Sequence, residues 1–195
     1  MSKSDPASAK KERNRYARWV VLIFLATIFI SALISLGAEE LMANSNMLVC
    51  FLILFAIVLL GILFDIIGVA VTSADEKPFH SMAARKVKGS QEAIQLLRNA
   101  EKVGSICNDV IGDICGVISG SAAATIAAQI LVNFEFSWPR IVLLVLSSLV
   151  AGLTVGGKAI GKTFAIGSCT TIVHVVGRVI WWFKHIPQLF QKDKI

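Results

Sequence analysis

Four stretches of this 195-residue chain run for seventeen residues or more with almost no charge, and that pattern limits the fold more than any other feature. Trp19–Gly37 carries no charge, and Met47–Thr72 is interrupted only by Asp65. Ile114–Phe134 is uncharged and rich in Gly, Ala and Ser; Ile141–Gly157 is opened by Pro139, where a missing N–H costs a helix least. A bilayer core of roughly 30 Å is crossed by about 20 helical residues rising 1.5 Å each, so every run predicts a transmembrane helix. The fourth has only 17 residues, which predicts local thinning or a polar end. Composition agrees: 55% of residues are hydrophobic, 16% are charged and the mean hydropathy is +0.72. Soluble domains run near ~45–50% and ~25%. Disorder, collagen-like repeats and a disulfide-stapled secreted module are excluded, and a soluble enzyme is disfavoured. The expected class is all-α, a polytopic membrane protein.

Charge placement sets the expected orientation. Residues 1–18 carry six basic side chains, the segment 73–105 six, and the stretch after Val155 another six. The loop Ala38–Asn46 holds Glu39 and Glu40 and no Lys or Arg, and Phe134–Arg140 has one basic residue. With both termini cytoplasmic and four spans, 18 of 19 Lys and Arg residues lie inside, as the positive-inside rule requires. A plasma or inner membrane is the expected location. The net charge of +6 is spread over juxtamembrane segments, which suits anionic headgroups and not nucleic acid. The first apolar run exceeds the usual 7–15-residue core of a signal peptide, so it is expected to be retained as a span.

A fifth stretch, Thr163–Phe183, is less apolar. Its polar residues Gly167, Thr171, His174 and Arg178 recur every three or four positions, and Trp181 and Trp182 close it. It reads as a helix lying in the interface. Counting it as a span would move Lys184, Lys192 and Lys194 outside. Cys50, Cys107, Cys115 and Cys169 form no CxxC pair and read as small packing residues.

Three acids sit in or beside the apolar runs: Asp65, Asp109 and Asp113. An ionised Asp at mid-bilayer costs about 2.5–3.5 kcal/mol on insertion scales, so it needs a partner, water or an ion. Asp65 lies about two turns before the cytoplasmic end of span two, and Asp109 and Asp113 enter span three from the same side. Thr72, Ser73 and Asn108 add neutral oxygens. Oxygen donors without a His or Cys set suit a hard cation such as Mg²⁺ or Na⁺, not zinc or copper. The competing readings are solvation at the interface for Asp109, and a hydrogen bond to a neighbouring helix for Asp65 and Asp113. Gly112, Gly116 and Gly120, four apart, form a small-residue stripe that lets membrane helices approach closely. Gly156-Gly157 is a possible break in the fourth helix that would free carbonyls. Lys158 and Lys162 read as snorkelling side chains. No nucleophile–base pair and no phosphate loop is present, so catalysis is not expected.

Between spans two and three, Ala93, Leu96, Leu97, Ala100 and Val103 form a helical stripe after Gly89-Ser90, with Ser90 as N-cap. Phe79, Met82 and Ala83 form a shorter patch after Pro78. A cytoplasmic helical hairpin is the natural reading.

Several of these segments together resemble the transmembrane domain of the CNNM/CorC (CorB) family. They are Ala70-Val71-Thr72-Ser73, then Gly89-Ser90 with Ala93-Ile94, Leu96-Leu97 and Asn99-Ala100-Glu101-Lys102-Val103, then Ser105 and Ile111-Gly112-Asp113. In that family a span ends in an Ala-Leu-Thr-Ser-like segment, a hairpin follows, and the next span opens with an Ile-Gly-Asn signature. Gly157-Lys158-Ala159-Ile160-Gly161 is similar to its Pro-Lys segment. The resemblance covers roughly residues 47–183. It implies three parts: residues 1–46 as a basic terminus, an additional span and a short outer loop; 47–183 as a three-span core; and 184–195 as a polar tail. It also implies a homodimer that binds Mg²⁺ in transport, with Na⁺ as a coupling ion. By position, Asp113 stands where the family has the Asn of Ile-Gly-Asn. Asp65 and Ile67 stand at the serines of its Ser-x-Ser-Glu segment, and Gly68 replaces the Glu. Neutral ligands thus give way to carboxylates. Taken with the oxygens read above, the expected ligands are Asp65, Asp113, Thr72, Ser73, Asp109 and Gly112. The family's cytosolic regulatory domains have no counterpart here, which points to a separate regulatory or transport subunit. The alternative is a scaffold that does not transport and uses its Gly112/Gly116/Gly120 face to bind another helix.

Overall fold

The computed structural model describes residues 6–43, 45–133 and 139–191, and among these every regular element is a helix. Helices α1 (Pro6–Ala43) and α2 (Met47–Ser73) are followed by three short ones, α3 (Lys77–Ala84), α4 (Ser90–Arg98) and α5 (Ala100–Ser105). A π-helical segment, Ile106–Gly112, leads without a break into α6 (Asp113–Asn133). The last two are α7 (Pro139–Gly167) and α8 (Cys169–Gln191). Four stretches are long and apolar enough to cross a membrane: Ala17–Ala43, Met47–Ser73, Ala100–Val132 and Arg140–Gly167. Helix α8 is not among them. The expected connection at 134–138 and the tail residues 192–195 lie outside the described residues.

Several helix ends differ from the sequence expectation. Helix α1 continues through Ala43, so Glu39 and Glu40 belong to its last turns and not to a loop. Ala, Glu, Leu and Met are strong helix formers, and Ala38 and Met42 are buried, so nothing stops the helix at Gly37. The third span begins at Ala100, because α5, the π segment and α6 are continuous. Gly156-Gly157 does not break α7, which runs on to Gly167. Gly157 and Gly161 are packed against Ile62 and Ile66 of α2, and this contact outweighs the weak helix propensity of glycine. The fourth span is therefore not short. The break falls at Ser168, so α8 starts at Cys169, six residues later than the expected start at Thr163. Finally, Gly89 and not Ser90 holds the N-cap position of α4. Its φ of 86° lies in the left-handed region that favours glycine. Ser90 is the first helical residue and its hydroxyl donates to the Val87 carbonyl at 2.7 Å.

Helix α2 is the axis of the molecule. Gly61, Asp65, Gly68 and Thr72 recur at i, i+4, i+7 and i+11 and so share one face. That face meets Cys115, Gly112, Asn108 and Gly104 in turn, which makes α2 antiparallel to the third span. A neighbouring stripe, Ile62 and Ile66, meets Gly157 and Gly161, so α2 and α7 run parallel. Glycine on one partner at each contact lets the backbones approach, the usual route to association where lipid removes the hydrophobic drive. Helix α1 touches the rest through a narrow stripe. Ile23 and Ala38 pack on Val110, Ile114 and Ile118, and Met42 joins Cys50, Leu54, Val58, Ala122, Ala123, Ile126 and Val150. Carbonyls in the last turn of a helix lack partners within it. Here the Met42 carbonyl accepts from the Gln129 amide at 3.4 Å and the Cys50 thiol at 3.5 Å.

At the opposite end of α2, α3 and α4 form the expected hairpin, and α8 folds back over it. Ala70, Val71, Phe79, Ala93, Ile94, Ala165 and Val173 make one buried apolar cluster there. Gly89 and Gly177 bring the backbones of α4 and α8 into direct contact. Lys88 lies over the Trp181 ring at 4.9 Å, and Lys184 stands 3.7 Å from Glu92.

Candidate functional site

Asp65 lies between these two apolar clusters. It is eight residues from the end of α2, or roughly 12 Å at 1.5 Å per residue. Only 3% of its surface is exposed. Its Oδ2 atom has no hydrogen-bond partner among the described residues, and the nearest charge is Lys162 Nζ at 3.9 Å. A buried carboxylate that is charge-compensated but lacks a hydrogen bond is costly in hydrocarbon, and such groups mark functional positions more often than packing ones.

The facing residues come from the π segment. A π turn is rare and clusters at functional sites, because its extra residue re-aims side chains and loosens the carbonyl ladder. Here it lays Asn108 directly on Gly68, where any side chain would collide with the amide. Asn108 Oδ1 is buried and, like Asp65 Oδ2, has no hydrogen-bond partner. Asp65 and Gly68, the residue Asn108 covers, are one turn apart on one face of α2. The Gly112 carbonyl closes the site. It accepts a hydrogen bond from Lys158 Nζ at 3.2 Å. A Cβ at Gly112 would stand 3.3 Å from that Nζ, 3.3 Å from the Cys107 carbonyl and 4.0 Å from Asp65 Oδ1. A side chain there would be tight, and the Lys158 ammonium would have to give way to it.

The expected ligands are therefore divided. Asp65, Gly112 and Asn108 come together. Asp113 sits on the outer side, its side chain 75% exposed, with Oδ1 3.9 Å from Lys158 Nζ. Asp109 is exposed. Thr72 is two turns further along α2; its hydroxyl donates to its own helix, at Gly68 and Val69, and its methyl group packs on Gly104. Ser73 is exposed. Gly116 and Gly120 have open space beyond them, so within one chain Gly112 alone of the expected stripe makes a close contact. Among the described residues no three His, Cys, Asp or Glu side chains gather as a metal cluster. The donors are one carboxylate, one amide and backbone carbonyls, a hard-oxygen set that fits Mg²⁺ or Na⁺ better than a soft metal. All four cysteines are free thiols.

Sequence reasoning passed over Lys158 and Lys162. They lie four residues apart, each directly after a glycine that faces α2, and the next position on a helix is rotated by only 100°. That spacing was the available signal. It becomes readable once α7 is known to run parallel to α2 with Gly161 opposite Ile66. The chain matches no family profile, no curated protein and no solved structure.

Proposed function

We propose that this chain is a multi-pass membrane protein, not an enzyme, that binds a hard cation between α2, the π segment and α7 and serves divalent-cation transport. Mg²⁺ is the favoured cargo and Na⁺ the alternative. The observation that carries this reading is a pair of buried oxygens without hydrogen-bond partners among the described residues, Asp65 Oδ2 and Asn108 Oδ1, at adjoining contacts between α2 and the π segment, where Asp65 Oδ1 also approaches Gly112. The order of motifs resembling the CNNM/CorC (CorB) transmembrane domain supports it, as does the four-helix arrangement with alternating directions. In the same reading both termini, the hairpin and α8 are cytoplasmic, α8 lies in the interface of a plasma or inner membrane, and the protein works as a homodimer with a separate regulatory subunit. Magnesium flux into proteoliposomes holding the purified chain tests it. Flux is expected for the wild type and lost in Asp65→Asn; an unchanged rate in that variant would overturn the reading.

A second reading has its own support. Lys162 and Lys158 already compensate Asp65 and Asp113, which would suffice for a scaffold that moves nothing. The small exposed face at Gly116 and Gly120 would then bind another helix. On this reading Gly116→Leu abolishes self-association or co-purification, and no acid variant alters ion flux.

A further inference from the structure

We propose that Lys158 is a tethered competitor for the cation, so that cargo binds only by displacing its ammonium from the Gly112 carbonyl. This rests on the cation reading above and deepens it.

The geometry is specific. Lys158 Nζ is held against the Gly112 carbonyl at 3.2 Å and 3.9 Å from Asp113 Oδ1, with its side chain 19% exposed. The ammonium and Asp65 Oδ1 both converge on the vacant side-chain position of Gly112, at 3.3 and 4.0 Å, so they lie within about 7 Å of each other. An ammonium in that place satisfies the same carbonyl a metal ion would use. The charges agree. Inside the site the Asp65 carboxylate is matched by Lys162, and Lys158 is matched by Asp113 on its outer side, so charge is balanced without cargo. A divalent ion entering beside a fixed ammonium meets like-charge repulsion at close range. The stem of Lys158 offers the way out. It is long and flexible, and its second contact, Asp113 Oδ1 at 3.9 Å, belongs to a side chain that is 75% exposed. Swinging outward onto that carboxylate frees the Gly112 carbonyl while the stem stays in apolar surroundings. Lys162 differs: 53% of its side chain is already exposed, and it contacts the carboxylate and not the carbonyl. It neutralises the site without filling it.

Binding of Mn²⁺, read by electron paramagnetic resonance on the full chain in nanodiscs, with Mg²⁺ as competitor, tests the proposal. Lys158→Met is expected to tighten Mn²⁺ binding by about tenfold, the scale of one removed like charge. Lys158→Arg, which keeps the charge, is expected to bind no tighter than the wild type. If Lys158→Met binds like the wild type while Asp65→Asn binds nothing, the competitor role is wrong and the cation site stands. If neither the wild type nor Lys158→Met binds Mn²⁺, both ideas fall. A measurement on the unaltered protein guards against a misfolded variant. Saturating Mg²⁺ is expected to speed labelling of Lys158 by an amine-reactive reagent, scored by mass spectrometry against Lys162. An unchanged labelling rate would overturn the displacement.

Discussion

The two halves of α2 follow different rules. From Met47 to about Leu60 the helix contributes Cys50, Leu54 and Val58 to an apolar cluster with Ala122, Ala123 and Ile126. From Gly61 to Ser73 the same helix presents glycine, a carboxylate and threonine to its antiparallel neighbour, and receives one lysine, Lys162, from its parallel one. The first half is held by dispersion among shaped side chains, since lipid is as apolar as its leucines. The second half is held by backbone approach and charge balance. Close approach thus serves two purposes in one helix: it binds the bundle, and it brings Asn108 and Gly112 to the depth of Asp65.

The comparison can be broken in graded steps. The largest effect is expected from Gly68→Leu, which puts a side chain where Asn108 lies; a loss of about 3 kcal/mol in detergent unfolding, together with loss of Mn²⁺ binding, would mark this contact as common to fold and site. Ile126→Ala in the apolar half should cost about 2 kcal/mol while leaving ion binding intact, and a loss of binding there would show that the halves are coupled. Gly177→Val should separate α8 from α4, costing about 1–3 kcal/mol, with the four spans still folded by circular dichroism. Lys162→Met should cost about 1 kcal/mol or more, because the lysine is half exposed but its buried partner Asp65 is left without a counter-charge. Smallest of all, Gly120→Leu should change the stability of a single copy by less than about 0.5 kcal/mol, and any loss of dimer seen by crosslinking would place the partner on that face.

How much of this was legible depends on whether the signal was local. Uncharged runs expose spans directly, and Asp65 stands out because it is alone in its run. The hairpin was legible from the stripe Ala93, Leu96, Leu97 and from the Gly89 punctuation. Helix ends were less so, since Ala38–Ala43 has no stop signal and Gly156-Gly157 looks like one. The glycine stripe at 112, 116 and 120 showed that close approach was available but not against what. The close contacts made by other glycines, such as those at 61, 68, 104, 157, 161 and 177, are readable only when the partner helix is known. No residue pattern announced the π turn. The lysines were misjudged for the same reason: an interfacial Lys and one reaching a buried acid on another helix look alike in one dimension.

The pairing of Asp65 with Lys162 also has a consequence for biosynthesis. The lysine emerges from the ribosome nearly a hundred residues after the acid, or about 5–20 s later at ordinary elongation rates. During that interval the nascent second span carries its carboxylate alone, and it is also the most apolar of the four spans. Its leucine, isoleucine and phenylalanine residues offset the cost of that lone carboxylate, which favours keeping the segment in the bilayer until the counter-charge arrives.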